Sequence, residues 1–199
     1  MTAHPTAART PKAAPLPHSR LRARLVLAGI AAVGLAALAW AAFVQPLPRL
    51  IYNPSDSVPV GWYRVDPQRH GADSLPRPLS VGSVVVTTLP PDVAALAAQH
   101  GYLPVHVPLL KRVGAVAPQH VCIVAGQVRI DSVPMAAALP TDRLGRPLPS
   151  LQLCRRLEAG ELFLLSVTNP ASFDSRYFGP VSASAVIGVA HPIWVETRP

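Results

Sequence analysis

The sequence lacks most of the short motifs that mark a metal, nucleotide or hydrolase site. It contains no His-Glu-x-x-His, no paired Cys-x-x-Cys, no glycine-rich phosphate loop and no Gly-x-Ser-x-Gly elbow. Histidines occur, but none stands in a recognisable catalytic context, and they read as surface or capping residues. We therefore expect no metal and no cofactor, and a mechanism that does not depend on these motifs.

Cysteine is scarce, since Cys122 and Cys154 are the only two in 199 residues. Two cysteines permit one disulfide, which an oxidising compartment favours, and they do not form a metal site by themselves. Two buried thiols are the alternative. The compartment of this part of the chain therefore decides between a disulfide and free thiols.

Charged residues are also few, at 14% of the chain, but they are unbalanced and give a formal net charge of +8. Such an excess can indicate nucleic-acid binding. Several of the basic residues, however, lie in the first 24 positions, directly before an apolar run, and membrane topology explains these better. The later arginines are dispersed singly, without a basic helix or interleaved aromatics. We expect no nucleic-acid partner.

Residues 1–24 are rich in alanine and proline and predict a disordered basic tail. Residues 25–44 carry no charge and span roughly 30 Å as a helix, which matches the hydrocarbon core of a bilayer. Because arginines crowd the N-terminal flank, the positive-inside rule places the tail in the cytoplasm and residues 45–199 beyond the membrane. A cleaved signal sequence is the alternative, since small-x-small patterns occur at 37–39 and 39–41.

Short strand-like runs separated by turn residues fill residues 45–199 and predict a mainly β domain with one short helical insert. The predicted strands are 61–65, 83–88, 109–115, 121–125, 127–130, 161–167 and 186–195. The helical insert is 91–100, because proline opens it, alanines fill its middle and Gly101 follows it. Residues 136–156 contain several prolines and predict a surface loop.

Lysine usage singles out one residue of this domain, because only Lys12 and Lys111 among the 18 basic residues are lysine. Alternation along the strand 109–115 puts Leu109, Lys111 and Val113 on one face, which should be apolar. An ammonium buried there loses hydration, so its pKa falls and the free amine can accept a proton, as arginine cannot. The competing interpretation is a lysine that reaches the surface with its amine.

A lysine base needs a nucleophile, and we expect Ser57 to be that residue. Pro59 and Gly61 constrain the backbone that follows it, as a nucleophile in a fixed turn requires. From spacing alone, the same stretch is better interpreted as a turn that leads into a strand.

Three segments in order resemble the type I signal peptidases, and especially their conjugative-transfer branch, the TraF-like peptidases. Segment 57–63, Ser-Val-Pro-Val-Gly-Trp-Tyr, resembles the nucleophile motif Ser-x-Pro-x-Gly-x-Tyr. Segment 110–113, Leu-Lys-Arg-Val, resembles the lysine strand, and segment 172–179 resembles the Ser-x-Asp-Ser-Arg box. The stretch Gly-Asp-Asn-Arg of bacterial leader peptidases is absent and 117–120 reads Ala-Pro-Gln-His, which favours the conjugative branch.

The resemblance implies a role for each matching residue. Ser57 would attack the scissile carbonyl while Lys111 removes its proton and returns it to the leaving amine. The backbone N–H of Ser57 and the hydroxyl of Ser55 would stabilise the oxyanion. Asp174 and Arg176 could form an ion pair that braces the site, and in the TraF-like branch this aspartate is tied to activity.

The predicted protein is therefore a membrane-anchored serine endopeptidase in the bacterial inner membrane, with a periplasmic signal-peptidase-type domain at 45–199. Its expected partners are membrane lipid around residues 25–44 and an exported precursor protein, such as a pilin, cut after a small residue. Some TraF-like members also join their product into a circle, and the motifs are compatible with either outcome. The alternative function is a non-catalytic envelope domain that binds partners through sheet edges or surface loops.

Overall fold

The computed structural model describes residues 17–43, 49–68 and 79–196. The chain divides into two units, residues 1–46 and 47–199. The helices are α1 Pro17–Phe43, α2 Pro91–Gln99 and α3 Ser175–Phe178, with a 3-10 turn at Ala183–Ala185. The strands are β1 Leu50–Asn53, β2 Gly61–Pro67, β3 Val84–Thr87, β4 Leu109–Val116, β5 His120–Val124, β6 Gln127–Ile130, β7 Val133–Ala137, β8 Leu153–Arg156, β9 Glu161–Leu164, β10 Val181–Ser182 and β11 Val186–Val195.

Helix α1 contains the apolar run. Its segment Arg20–Trp40 has a mean hydropathy of 1.9 over its most apolar window and is long enough to cross a membrane. The helix begins at Pro17, so residues 17–24 of the predicted disordered tail are helical. Proline fits the first turn of a helix, and the leucines, alanines and arginines that follow are good helix formers. Residues 1–16 of the predicted tail and Val44 of the predicted anchor lie outside the described residues.

The second unit is mainly β, which confirms the predicted fold class. Seven strands form one antiparallel sheet in the order β1-β2-β11-β3-β4-β9-β10, and four form a second in the order β7-β6-β5-β8. The seven predicted strands each overlap an observed one. The helical insert is α2, which ends one residue earlier than predicted, with Gly101 at φ +67° beyond its cap.

The loop predicted at 136–156 is wrong at both of its ends. Strand β7 extends to Ala137, and β8 occupies the last four residues, 153–156. β8 contains two arginines and no apolar alternation, so its own sequence does not resemble a strand. It exists because its backbone pairs with β5 across a separation of about thirty residues, a contact that a local pattern does not reveal.

Apolar side chains cover both faces of the larger sheet at its middle strand β3. The neighbours Val85 and Val86 of β3 are buried in two different clusters, the first with Leu109 and Leu164 and the second with Tyr63. A strand buried on both sides leaves few routes to water for a polar side chain. Any polar group on its inner positions must therefore find a partner within the protein.

Candidate active site

Strand β4 carries Lys111 into the interior. Leu109, Lys111, Val113 and Ala115 all point to the buried face, which confirms the predicted alternation. The Lys111 side chain is only 4% exposed, and its Nζ donates a hydrogen bond to Ser172 Oγ at 2.5 Å. The amine is therefore held inside the domain and does not reach the surface.

Burial sets the pKa of Lys111. Loss of hydration lowers the pKa to about 8, against an opposing upward effect of the Asp174 carboxylate and a smaller downward effect of the Arg176 guanidinium. The neutral amine is thus accessible close to physiological pH. Only this form has a lone pair that can accept a proton.

The predicted nucleophile lies in the loop between β1 and β2, which we call the serine loop, residues 54–60. Ser57 is 6% exposed, and its Oγ lies 3.0 Å from Ser55 Oγ. Ser55 donates its hydroxyl hydrogen to Asn53 Oδ1 at 2.9 Å. Because that amide oxygen can only accept, Ser57 is the donor in its contact with Ser55. The predicted oxyanion role of Ser55 therefore requires its hydroxyl to turn away from Asn53.

Asn53 braces the serine loop, and sequence reasoning did not single it out. Its Nδ2 lies 2.7 Å from the carbonyl oxygen of Ser55 and 3.0 Å from those of Val58 and Pro59. Its Oδ1 accepts from the backbone N–H of Ser55 as well as from the hydroxyl. The buried Tyr63 adds a bond from its hydroxyl to Pro59 O at 2.7 Å. One buried amide and one phenol thus hold the turn that contains Ser57.

Asp174 and Arg176 form a buried ion pair. Arg176 Nε donates to Asp174 Oδ1 at 2.8 Å and Nη2 donates to Oδ2 at 2.9 Å. Both side chains are at most 1% exposed. Asp174 also caps α3 and accepts from the backbone N–H of Ser166 at 3.0 Å. This bond explains why β9 ends earlier than predicted, since the backbone of Ser166 turns to the carboxylate.

The remaining hydrogens of the Arg176 guanidinium hold the surrounding backbone. These three hydrogens are shared among the carbonyl oxygens of Ala137, Ser166, Asn169, Pro170 and Ser172, which lie 3.0–3.3 Å from Nη1 or Nη2. Ser172 thus accepts from Arg176 with its carbonyl and from Lys111 with its hydroxyl. A continuous chain of contacts runs from Asp174 through Arg176 and Ser172 to the lysine amine.

The structure groups the predicted site residues into two sets. Ser55 and Ser57 lie in the serine loop, and Lys111 lies with Asp174 and Arg176 beside Ser172. Ser57 is hydrogen-bonded to Ser55, whereas Lys111 is hydrogen-bonded to Ser172. The sequence analysis assigned no role to Ser172. Its place as the first residue of the Ser-x-Asp-Ser-Arg box was the signal that could have identified it.

A cavity of about 300 Å³ opens beside the serine loop. Its lining includes Pro59, Tyr63, Arg112 and His191. Arg112 lies on the opposite face of β4 from Lys111. The cavity therefore borders the turn that contains Ser57 without including the lysine amine.

Cys122 and Cys154 are joined as a disulfide in the structure. They lie opposite each other on β5 and β8. The sequence analysis left open a disulfide or two buried thiols, and the structure has the disulfide.

Residues 22–195 match the family described as signal peptidase, peptidase S26. The match covers most of the chain, which belongs to this family. Two similar relatives are the plasmid transfer protein TraF of Escherichia coli, 33% identical over 179 residues, and the conjugal transfer protein TraF of Agrobacterium tumefaciens strain 15955, 34% identical over 183 residues. Each alignment covers 87% of this chain, with 95% of the first relative and 96% of the second. The resemblance seen in the three motifs is thereby confirmed.

Among solved structures, the chain is similar to a signal peptidase I from Enterococcus faecalis V583, with a TM-score of 0.34 and 20% sequence identity. That alignment covers 58% of this chain and 98% of the other.

Proposed function

We propose that the protein is a membrane-anchored serine endopeptidase that uses a Ser57–Lys111 dyad. The observation that carries the proposal is the Lys111 amine, which is buried, held by Ser172 and lowered in pKa to about 8. Membership of the peptidase family and the braced turn around Ser57 support it. A lysine in this state can act as a general base near neutral pH.

In the first step, neutral Lys111 takes the hydroxyl proton of Ser57 while Ser57 Oγ bonds to the scissile carbonyl carbon. This requires the Ser57 hydroxyl to turn from Ser55 towards the amine. The backbone N–H of Ser57 and the hydroxyl of Ser55 donate to the oxyanion. Collapse of the intermediate breaks the C–N bond, and Lys111 gives its proton to the leaving amine. Water then attacks the acyl carbon while Lys111 removes a proton from that water, the bond from the acyl carbon to Ser57 Oγ breaks, and Lys111 returns the proton to Ser57 as the acid product leaves.

Asp174 and Arg176 act through Ser172 in this proposal. They hold the backbone of the segment 166–172, which presents the Ser172 hydroxyl to the amine. Asp174 and Arg176 are positioning residues that act through other groups, whereas Ser172 contacts the proposed base itself and sets the position of its amine.

The proposed substrate is an exported precursor that is cut after a small residue. The relatives named for plasmid and conjugal transfer point to a component of a conjugation apparatus, such as a pilin. Helix α1 would lie in the lipid of the bacterial inner membrane and anchor the protein there. Residues 45–199 would then be on the periplasmic side. An amine of the substrate in place of water would resolve the same acyl-enzyme into a circular product.

Acylation of the full chain by a β-lactam probe tests the dyad. In lipid nanodiscs, intact mass should increase by one probe for the wild type, and Ser57→Ala should not be labelled. Lys111→Arg keeps the positive charge but has no neutral form near pH 7, so its labelling rate should fall on the order of 10²–10⁴-fold. Lys12→Arg is the matched control and should react normally. Labelling of Lys111→Arg at the wild-type rate would refute the lysine base. Unlabelled wild type that also leaves precursors uncut would favour the non-catalytic envelope domain.

A further inference from the structure

The outer face of the four-stranded sheet carries a cluster of reactive and basic side chains that the proposed peptidase does not use. Cys122 of β5 lies directly opposite Cys154 of β8 on one side and Arg129 of β6 on the other. His120, two residues before Cys122, lies opposite Arg156. Side chains of directly paired residues, and of residues two apart in a strand, share a face. We call this set of five residues the disulfide face.

The inner face of the same strands is apolar and buried. Val121, Ile123 and Val128 are completely buried there in an apolar cluster. The disulfide is therefore not part of the core. It lies on the solvent side, at the edge formed by β8, which pairs with one neighbour only.

The two sulfurs are not equivalent. Cys154 is exposed, whereas Cys122 is half-buried. An incoming thiolate therefore reaches Cys154 Sγ more readily, and attack there makes Cys122 the leaving group. The rate of exchange depends on how well the leaving thiolate is stabilised.

Basic residues lie next to that leaving sulfur in the ladder. His120 Nδ1 lies 3.6 Å from Cys122 Sγ, Arg129 lies directly opposite Cys122, and Arg156 lies opposite His120. The nearby carboxylate of Asp131 accepts from the backbone N–H of His120 and from Gln119, and these bonds lower the pKa of Asp131. Two guanidiniums and an imidazole against one carboxylate form the kind of environment that favours a cysteine thiolate.

We propose that Cys122–Cys154 is a thiol-exchange site that receives electrons from a protein dithiol. One thiolate of the dithiol attacks Cys154 Sγ, the Cys122–Cys154 bond breaks, and Cys122 leaves as a thiolate that is stabilised by His120 and the arginines. The second thiol of the partner then attacks its own sulfur in the mixed disulfide and releases Cys154. Two electrons pass to the cysteine pair, and the partner becomes a disulfide.

The alternative is a structural disulfide that can be reduced only when the domain unfolds. The two roles differ in what limits reduction. A structural disulfide is limited by unfolding, whereas an exchange site reacts in the folded protein at a rate set by the charges around the leaving sulfur.

The first experiment measures reduction of the full chain in lipid nanodiscs by glutathione, with free thiols counted by alkylation and intact mass. A chelator is present so that trace metal ions do not bind the freed thiols or catalyse their reoxidation. The folded wild type should be reduced without loss of its circular dichroism. The double variant Arg129→Gln/Arg156→Gln should react about tenfold more slowly. Arg143→Gln, an exposed arginine outside the sheets, should react like the wild type.

The second experiment measures the thiol pKa of Cys122, whose sulfur is the proposed leaving group. In Cys154→Ser, the pH dependence of alkylation should give Cys122 a thiol pKa below the ordinary value of about 8.5, and adding His120→Gln should raise it. Reduction only on unfolding, equal rates in the arginine variants, or an ordinary Cys122 pKa would each overturn the proposal. None of these measurements depends on Ser57 or Lys111, so the outcome is independent of the peptidase assignment.

Discussion

At the scale of single residues, the ionisation of Lys111 connects chemistry with stability. The folded domain lowers the pKa of this amine from 10.5 to about 8 because it is removed from water. Between these two values the unfolded chain carries a proton that the folded chain has lost. The free energy of unfolding must therefore rise with pH in this window.

The pH dependence gives the first prediction at this scale. The proposed mechanism uses the neutral amine, so acylation of Ser57 should increase with pH and level off above a midpoint near 8. The free energy of unfolding of the wild type minus that of Lys111→Met should be flat below about pH 8, the folded value, and rise from there to the unfolded value of 10.5. The full change should be on the order of 3 kcal/mol. Urea titrations at each pH check it, and because the tyrosines are common to both proteins, their titration cancels in the difference. A flat difference would contradict the lowered pKa.

Ser172 provides the second prediction. Its hydroxyl accepts from Lys111 Nζ, a bond that is stronger when the amine is charged. Ser172→Ala should therefore slow acylation by about tenfold or more through lost positioning, and should also shift the pH midpoint downward. Ser172→Thr retains a hydroxyl and should restore most of the rate. A loss of rate with an unmoved midpoint, which threonine does not rescue, would indicate a packing role only.

At the scale of elements, the box at 172–179 works as one connected structure. Asp174 caps α3 and pairs with Arg176, and Arg176 fastens the segment from Ser166 to Ser172 by its carbonyl oxygens. These contacts are short in sequence, whereas the bond from Arg176 to the carbonyl oxygen of Ala137 joins the box to a segment 39 residues away. Its connection to Lys111 crosses 61 residues.

Removal of the Asp174 charge tests this arrangement. Asp174→Asn leaves the buried Arg176 guanidinium without its counter-ion, which should cost about 3–5 kcal/mol of unfolding free energy. Because Asp174 raises the pKa of Lys111, the pH midpoint of acylation should also fall in the fraction that remains folded. Denaturant unfolding and the pH profile measure the two effects separately. Glu161→Gln, which breaks the more exposed pair with Arg155, is the control and should cost about 1 kcal/mol or less.

The elements also show what the sequence could and could not predict. The burial of Lys111 followed from alternation within one strand, and α2 followed from the residues at its two ends. Asn53 was missed because its role depends on a turn that brings three carbonyl oxygens to one amide. Strand β8 was missed because its pairing with β5 is distant in the chain. Local periodicity does not contain such contacts.

At the scale of the whole domain, the larger sheet depends on the close approach of β2 and β11. Gly61 has φ +144°, and a Cβ at this position would lie 2.2 Å from the carbonyl oxygen of Trp194. The backbones can meet there only because glycine has no side chain. Gly61 is therefore a structural requirement of the motif that follows Ser57, independently of any role in catalysis.

Gly61→Ala should consequently destabilise the domain by about 3 kcal/mol or more, since both the clash and the positive φ oppose it. Gly82→Ala is the matched control, because Gly82 also has a positive φ, +91°, but open space around it. It should cost only about 1 kcal/mol. Urea unfolding of the two variants beside the wild type gives the comparison. Equal losses would show that backbone strain dominates over the contact with β11.

The position of β11 has a consequence for the order of assembly. This strand, residues 186–195, is the last of the described chain, yet it lies between β2 and β3 and pairs with both. Because the chain is made from its N-terminal end, β2 and β3 are complete long before the strand that joins them. The larger sheet therefore cannot close until residues 186–195 have been made, and until then β2 and β3 each lack the partner that β11 supplies.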